Sequence, residues 1–436
     1  MPKQSAPKQS AQADFAPLRS HPTSDIVCKT MNKVSMTQSN ALQWLLWVCV
    51  ATTACCTNSA PSHDPLADNQ GAGGTSFKEQ ADSALEAQTA FDASTYGLAE
   101  GWNQLPTPPL VGRTGAAVAQ VDHKLLIVGG REYLCPPTAD CGTTAATPHA
   151  DGAIYDFESE QWAPIAEAPF AFTSSQVAVV ETAVYLIGHC YAWEACPENR
   201  LLRYDVNADK WEIVQAPFVA TEYALAQVQG GLVAYRPTGQ EASQPDYYFS
   251  QSQGYWSPLP ADPLGTTGAR TLLADGSRWL LFAGGGAPDT AEQLLVAAYE
   301  PTSGSWTQLA STNRTGYQVW AGGNQFFLNP HFNTAEGGVY DAAKDAWEPI
   351  PNLPVQDLAG VIGEHDATYA YASGWVRDTR HNTWRHIPPR TSPNLVFDET
   401  IATGPGLSLA VFGGQRWTGD AGALLNDTWL WMPPQP

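Results

Sequence analysis

Six arginines, one histidine and three aromatic residues are the side chains in this sequence best suited to bind a ligand. Guanidinium groups hold carboxylates through paired hydrogen bonds, and tyrosine and tryptophan rings offer large, rigid contact surfaces. In a chain with a formal net charge of −21, clustered arginines would form a local positive site for a carboxylate or an acidic peptide side chain. These candidate residues are Arg113, Arg131, Tyr133, His189, Trp193, Arg200, Arg270, Arg314, Arg416 and Trp417. The alternative is that each arginine pairs with a nearby carboxylate or loop carbonyl.

Four cysteines lie among these candidates in two close pairs. Cys135 and Cys141 form one pair, and Cys190 and Cys196 form the other. Four cysteines allow three pairings. We favour the two local bridges, each of which would restrict one long loop. Zinc sites usually have shorter gaps between their cysteines, so neither a metal nor another cofactor is predicted.

No arrangement of residues typical of a known reaction is found in the sequence. A Ser–His–Asp frame, a phosphate-binding glycine loop and an HExxH motif are all absent. Whether the chain is an enzyme is therefore open, and a binding function is favoured. The acidic charge balance repels phosphate backbones, so nucleic acid is not predicted as a partner.

Residues 1–56 have the pattern of an export region. Lys33 precedes an apolar run over residues 41–54, which is too short to cross a membrane as a helix. Residues 1–30 are untypical of a signal, which suggests Met31 as the true start. Cys55 follows small residues, as the lipidated cysteine of bacterial lipoproteins does, although Thr52 stands where an aliphatic residue is usual. Lipidation at Cys55 is favoured over an uncleaved anchor or a plain apolar patch.

Residues 57–98 are polar and small, without the alternating apolar pattern of a strand. Such a composition buries too little apolar surface to fold, and it predicts a flexible tether. The tether would hold a folded domain over residues 99–433 away from the membrane.

Within the predicted domain an aromatic residue followed by an acid recurs seven positions before a tryptophan. Six units keep the spacing, five keep the aromatic residue and five keep the acid. The pattern predicts a β-hairpin whose two rings face one layer, with the acid accepting backbone N–H bonds at the corner. The pairs are Tyr155 with Trp162, Tyr204 with Trp211, Phe249 with Trp256, Tyr299 with Trp306, Tyr340 with Trp347, and Arg377 with Trp384.

Two further apolar strands precede each hairpin, and the second of them often ends in glycine. The Gly-Gly pairs begin at Gly129, Gly284 and Gly413. Glycine at such a strand end permits close approaches that a Cβ would prevent. From Trp102 to Met432 the four-strand pattern resembles the kelch repeat, the family that includes the central domain of galactose oxidase. The resemblance implies a β-propeller with four-stranded blades.

The blade count rests on the two ends of the predicted domain. There are seven second strands but six complete hairpins, and Trp102 begins an outer strand that has no partner before it. If this N-terminal strand completes the last unit, the all-β, kelch-type propeller has seven blades and no open edge. Six blades are the alternative, because the sixth unit is compressed.

The resemblance also implies where the candidate residues lie. In kelch propellers the loops between the second and third strands share the channel-mouth face with the loops before the first strands. Copper enzymes of the galactose-oxidase type use two tyrosines, two histidines and a Tyr–Cys crosslink there, and no set in this chain matches. Enzymes of the sialic-acid mutarotase type use arginine and glutamate, which the candidate arginines suit loosely.

We therefore expect an exported bacterial lipoprotein, facing the periplasm or the cell surface, that acts as a recognition module of the cell envelope. Its partner would be an envelope or extracellular protein, or a glycan, and its membrane contact would be the N-terminal lipid alone. A monomer is expected. The alternative is a carbohydrate-active enzyme of mutarotase or oxidase type that uses the channel mouth.

Overall fold

The structure is a computed structural model in which part of the chain is described. The described residues are 93–136, 139, 146–174, 176–190, 200–238, 244–265, 269–284, 294–312, 319–322, 325–328, 337–349, 364–365, 369–372, 375–378, 383–388, 390, 396–404, 407–419 and 421–433. The export region over residues 1–56 and most of the predicted tether lie outside these ranges. The stretch from Ala93 onward is described, and Tyr96 and Leu98 pack against a core cluster there.

The described part of the chain is all-β, built from four-stranded antiparallel sheets, as expected for the blades of a propeller. Its regular helices are two short 3-10 turns, Ala93–Tyr96 and Ala220–Glu222. No helix among these residues is long and apolar enough to span a membrane.

Seven sheets, numbered here in chain order, have four main strands each. The first sheet contains Thr114–Val121, Lys124–Glu132, Gly152–Asp156 and Gln161–Pro164. The second contains Val177–Val180, Ala183–Ile187, Leu201–Asp205 and Lys210–Ile213. The third contains Ala224–Val228, Gly231–Tyr235, Tyr247–Ser250 and Tyr255–Pro258. The fourth contains Arg270–Asp275, Arg278–Ala283, Leu295–Glu300 and Ser305–Gln308. The fifth contains Val319–Gly322, Gln325–Leu328, Gly338–Asp341 and Ala346–Glu348. The sixth contains Glu364–His365, Tyr369–Ala372, Trp375–Asp378 and Thr383–His386.

The seventh sheet departs from chain order. It contains Thr400–Gly404, Leu407–Phe412 and Thr428–Met432, and its fourth strand is Gly101–Gln104 from the other end of the domain. Two small additions accompany the first and seventh sheets. Thr147–Pro148 pairs with the end of Lys124–Glu132. Val396–Phe397, Gln415–Thr418 and Ala421–Leu424 form a separate three-stranded sheet, whose strand Gln415–Thr418 follows the seventh sheet's second strand in the chain.

Neighbouring sheets touch through their first strands. The first strand of each sheet contacts the first strand of the next sheet, and that of the seventh contacts Thr114–Val121 of the first. Between the sheets lie apolar clusters, one of which joins Leu125 and Ile127 of the first sheet to Phe412 and Leu430 of the seventh.

The predicted hairpins are confirmed in the register of the third and fourth strands. All six pairs stand directly opposite each other, as Tyr155 does to Trp162 and Arg377 to Trp384. In the five aromatic pairs the ring centroids are 4.7 to 5.2 Å apart. The corner acids Asp156, Asp205 and Asp341 act as predicted: Asp156, for example, accepts the N–H groups of Glu158 and Ser159 at 2.8 and 3.2 Å.

The glycines that end the second strands make close approaches to neighbouring loops. Gly129 has a φ of +69°, and a Cβ there would stand 2.7 Å from the carbonyl oxygen of Phe172. Gly413 has a φ of +68°, and a Cβ there would stand 2.4 Å from the carbonyl oxygen of Arg113. Any other residue would push the adjacent loop away, which explains the Gly-Gly pattern.

A repeated hydrogen bond joins neighbouring sheets through the same tryptophans. In five sheets the indole Nε1 donates to the carbonyl four residues beyond the equivalent tryptophan of the preceding sheet. The bonds run from Trp102 to Pro388, Trp162 to Pro106, Trp211 to Ala166, Trp306 to Pro260 and Trp347 to Ala310, over 2.6 to 3.1 Å. We call this bond the indole staple.

Candidate functional site

The candidate residues that the structure describes belong to one end of the sheets, where second strands end and first and third strands begin. The register places Thr114 opposite Arg131, and Arg131 opposite Pro148. We call this end the loop face. The opposite end carries the tight turns of the hairpins.

Arg113 is fully buried beneath the loop face of the first sheet. Its two Nη atoms donate to Asp151 at 2.7 and 3.1 Å, Nη1 also donates to the carbonyl of Gly129, and Nε donates to the carbonyl of Val111. These bonds satisfy the guanidinium without a ligand, which is the alternative that the sequence left open.

Asp151 links Arg113 to a histidine that the sequence analysis did not select. His149 Nδ1 lies 3.8 Å from an oxygen of Asp151, and His149 Nε2 lies 3.2 Å from an oxygen of Glu132. Arg113, Asp151, His149 and Glu132 thus form a row of neighbouring polar side chains that leads from the interior to the surface. Sequence reasoning missed it because a lone histidine between proline and alanine carries no motif.

The pKa values in this row follow from burial and from Arg113. Burial, and after it the charge of Arg113, lower the pKa of His149, so the imidazole is neutral at pH 7. Burial acts to raise the pKa of Asp151, but hydrogen bonds and charge from Arg113 hold it below its usual value. A neutral imidazole between two carboxylates can accept or donate a proton.

On the loop face, the segment after the first sheet's second strand contacts the three-stranded sheet. The guanidinium of Arg131 lies over the ring of Tyr133, 4.5 Å from its centroid. The backbone N–H of Cys135 donates to Gln415 Oε1 at 2.9 Å, and the indole of Trp417 donates to the same oxygen at 3.2 Å. Arg416 stands between Gln415 and Trp417 in the strand Gln415–Thr418. The structure therefore joins the segment that contains Arg131 and Tyr133 to the strand that contains Arg416 and Trp417, through Cys135 and Gln415.

The second sheet continues this surface. His189 exchanges two backbone hydrogen bonds with Thr173, in the linker from the first sheet. Burial, and then the positive charge of Arg200, lower the pKa of His189. Six of the candidates therefore belong to the loop face of the seventh, first and second sheets, and Arg113 is buried beneath it. The six are Arg131, Tyr133, His189, Arg200, Arg416 and Trp417.

Arg270 belongs to a separate buried cluster between the third and fourth sheets. Its guanidinium contacts the carboxylates of Asp246 and Asp262 at 2.8 and 2.7 Å and donates to the carbonyl of Arg236. Its two Nη groups are thus engaged by the protein itself, whereas its buried Nε has no hydrogen-bond partner among the described residues. Neither Arg113 nor Arg270 is exposed on the loop face.

The remaining candidates are not placed by the structure. Trp193 and Arg314 lie outside the described residues, as do Cys55, Cys141 and Cys196. The two loop disulfides and the lipidation at Cys55 therefore stay predictions.

One group in the described chain has the side chains to hold a metal ion, and it was not predicted. The ligand atoms of His123, Asp156 and Glu158 lie within 4.8 Å of one another at the turn end of the first sheet. One oxygen of Asp156 is already engaged by two backbone N–H groups. Nothing links this group to the loop face.

Comparison with known proteins adds no assignment. Neither a scan against protein-family models nor a search of curated proteins gives a match to this chain.

Proposed function

We propose that the seven sheets are the blades of a kelch-like propeller, closed by the strand that contains Trp102. Two observations support this architecture. The first strands contact one another in cyclic order, and Gly101–Gln104 pairs with Thr428–Met432 in the seventh sheet. The repeated hairpins and Gly-Gly strand ends are those of the kelch pattern.

We propose that the chain is an exported bacterial lipoprotein, anchored through a lipid on Cys55. The basis is the apolar run over residues 41–54 and the small residues before Cys55. The polar stretch that follows would let the propeller stand away from the membrane, in the periplasm or at the cell surface.

We propose that the protein is a recognition module of the cell envelope, which binds its partner through the loop face of the seventh, first and second blades. The observation that carries this proposal is the bond from the backbone N–H of Cys135, which follows the first blade's second strand, to Gln415 of the three-stranded sheet. Arg131 and Tyr133 precede Cys135 in the chain, and Arg416 and Trp417 follow Gln415, so the bond joins the two segments that contain these residues. Arginine and aromatic residues in such a cluster are typical of binding hot spots.

A carbohydrate-active enzyme is the second candidate, and His149 is the observation that favours it. A neutral imidazole between Glu132 and Asp151 could transfer protons at a sugar ring. Arg113 and Arg270 are each buried and paired with aspartate, so neither can contribute to a sugar-acid site of this kind. The binding function is therefore the better supported of the two.

Site-specific photocrosslinking in intact cells tests the binding proposal. A photoreactive phenylalanine at Tyr133 or Trp417 should capture the same partner, because both positions belong to one surface. The control position is Tyr255, an exposed aromatic residue that starts the strand at the turn end of the third blade. Equal capture from Tyr255, or none from Tyr133 and Trp417, would reject the loop face as the binding surface.

A further inference from the structure

The indole staple is not formed between the second and third sheets. Trp256 is the tryptophan of the third sheet, and its buried Nε1 has no hydrogen-bond partner among the described residues. The carbonyl that the repeat would provide belongs to Gln215. At the equivalent positions the other units have proline or alanine: Pro106, Ala166, Pro260, Ala310, Pro351 and Pro388.

A second bond between sheets is missing at the same place. Asp209 and Asp345, two residues before their tryptophans, accept the backbone N–H of Ala166 and Ala310 in the preceding linker at 2.8 Å. The third sheet has Gly254 at this position, which offers no side chain. The second and third sheets are thus joined by neither of the two bonds.

A groove of about 440 Å³ lies between these two sheets. Its walls come from the second, third and fourth strands of the second sheet and from the hairpin turn of the third. Gln215 and Gly254 both line it. Val214, another lining residue, packs against the same buried cluster as Trp256. The groove is at the turn end of the sheets and is separate from the loop face.

The groove is polar but carries no net charge. Arg203 and Glu212 contribute one charge of each sign, with 3.6 Å between Nη1 and Oε2, and Gln215, Gln251 and Tyr185 are neutral hydrogen-bonding side chains. Ile213, Val214 and Phe249 add apolar surface. This combination offers donors and acceptors for hydroxyl groups beside an apolar wall for C–H groups. It gives no preference to an anion or a cation.

We propose that this groove binds a neutral saccharide of one or two sugar units. A sugar ring presents vicinal hydroxyls, which carboxylate, amide and guanidinium groups bind in pairs, and a C–H face that packs on apolar side chains. The volume lies in the range of small-molecule sites. Neither of the two repeated bonds joins the second and third sheets, and the groove lies at this junction. Gln215, which replaces the proline or alanine of the other units, provides polar contacts there. The proposal is independent of the function assigned to the loop face.

Saturation-transfer NMR on the full-length chain with glucose, maltose and cellobiose tests the proposal. We expect saturable binding of at least one of these sugars and a shift of the Trp256 indole resonance, identified as the resonance that Trp256→Phe removes. Glucuronic acid should bind more weakly than glucose, because the groove has no excess positive charge. Absence of transfer to all three neutral sugars, or tighter binding of the acid, would overturn the proposal.

Two variants locate the site. Gln215→Ala, which installs the residue found at positions 166 and 310, and Gln251→Ala should each weaken binding by about tenfold or more while the protein stays folded in thermal denaturation. Gln308→Ala is the matched control, since Gln308 lies in the outer strand of the fourth sheet, away from the groove. Unchanged affinity in both groove variants, or an equal loss in the control, would overturn the assignment.

Discussion

At the scale of single residues, Arg113 shows how a side chain suited to ligand binding can be used inside the protein. Its guanidinium stays charged when buried, so the folded state must provide its partners. Asp151 supplies two hydrogen bonds and loop carbonyls supply the others. Arg113 therefore positions Asp151, and through it His149, but does not contact solvent.

Replacing Asp151 tests this role. Asp151→Ala leaves the buried guanidinium without its counter-ion and should lower the free energy of unfolding by about 2 kcal/mol, a value reduced for the partial exposure of Asp151. Glu132→Ala is the control, and it should change stability by less than about 0.5 kcal/mol because Glu132 is exposed. Urea denaturation of both variants measures the difference. Equal losses would contradict a structural role for the Arg113 pair.

The lowered pKa values of His149 and His189 predict a loss of stability in mild acid. Below about pH 6.5 the unfolded chain binds protons that the folded imidazoles do not, so stability falls as the pH drops. The lowered pKa of Asp151 acts only at lower pH, where its carboxyl becomes protonated in the folded state. Replacing both histidines with glutamine should flatten the melting temperature between about pH 5 and 6.5. A wild-type profile that is already flat in this range would contradict the prediction.

At the scale of elements, the hairpin turns join adjacent sheets as well as adjacent strands. The residue two before the tryptophan has a positive φ in five units, as Asp345 does at +49°. The carboxylate of Asp345 also accepts bonds from the Tyr340 hydroxyl and from the N–H of Ala310 in the preceding linker. One turn residue therefore fixes its own hairpin and its neighbour.

Two substitutions of Asp345 separate these effects. Asp345→Gly keeps the left-handed backbone and loses the bonds, whereas Asp345→Ala loses the bonds and strains the backbone. The alanine variant should be less stable than the glycine variant by about 1 kcal/mol. Glycine is already present at this position in two other units, at Gly254 and Gly304. Equal stabilities in denaturant unfolding would show that the backbone angle is not constrained.

The indole staple gives a second test at this scale. Trp306→Phe removes the bond from Nε1 to the carbonyl of Pro260, whereas Trp256→Phe removes an indole that makes no such bond. Both variants lose similar packing area, so Trp306→Phe should be less stable than Trp256→Phe by about 1 kcal/mol. Chemical denaturation of the pair measures this difference. A larger loss in Trp256→Phe would contradict the account of the junction between the second and third sheets.

The sequence predicted the repeated hairpins well and the candidate functional site poorly. Paired strands place residues seven apart directly opposite across a short turn, so Tyr340 and Trp347 could be matched from spacing alone. The hairpin of Gln415–Thr418 and Ala421–Leu424 was missed because its strands lack an alternating apolar pattern. The site depends on contacts between distant positions, such as Cys135 with Gln415. No local pattern encodes those contacts or the burial of Arg113.

At the scale of the whole molecule, the two ends of the domain lie in one sheet. Pairing of Gly101–Gln104 with Thr428–Met432 covers the outer edge of the strand Thr428–Met432, and the staple from Trp102 to Pro388 ties this sheet to the sixth. The bond from Cys135 to Gln415 also joins the first sheet's loop to the three-stranded sheet that follows the seventh sheet's second strand. The proposed binding surface thus depends on a closed ring, because its halves come from opposite ends of the sequence.

A crystal structure of the exported chain tests this central claim most directly. The account predicts seven four-stranded blades around one axis, with Gly101–Gln104 as the outer strand of the seventh and with Cys135 against Gln415 on the loop face. A ring of six blades, or an N-terminal strand that leaves the edge beside Thr428–Met432 open, would contradict both the architecture and the binding surface built on it.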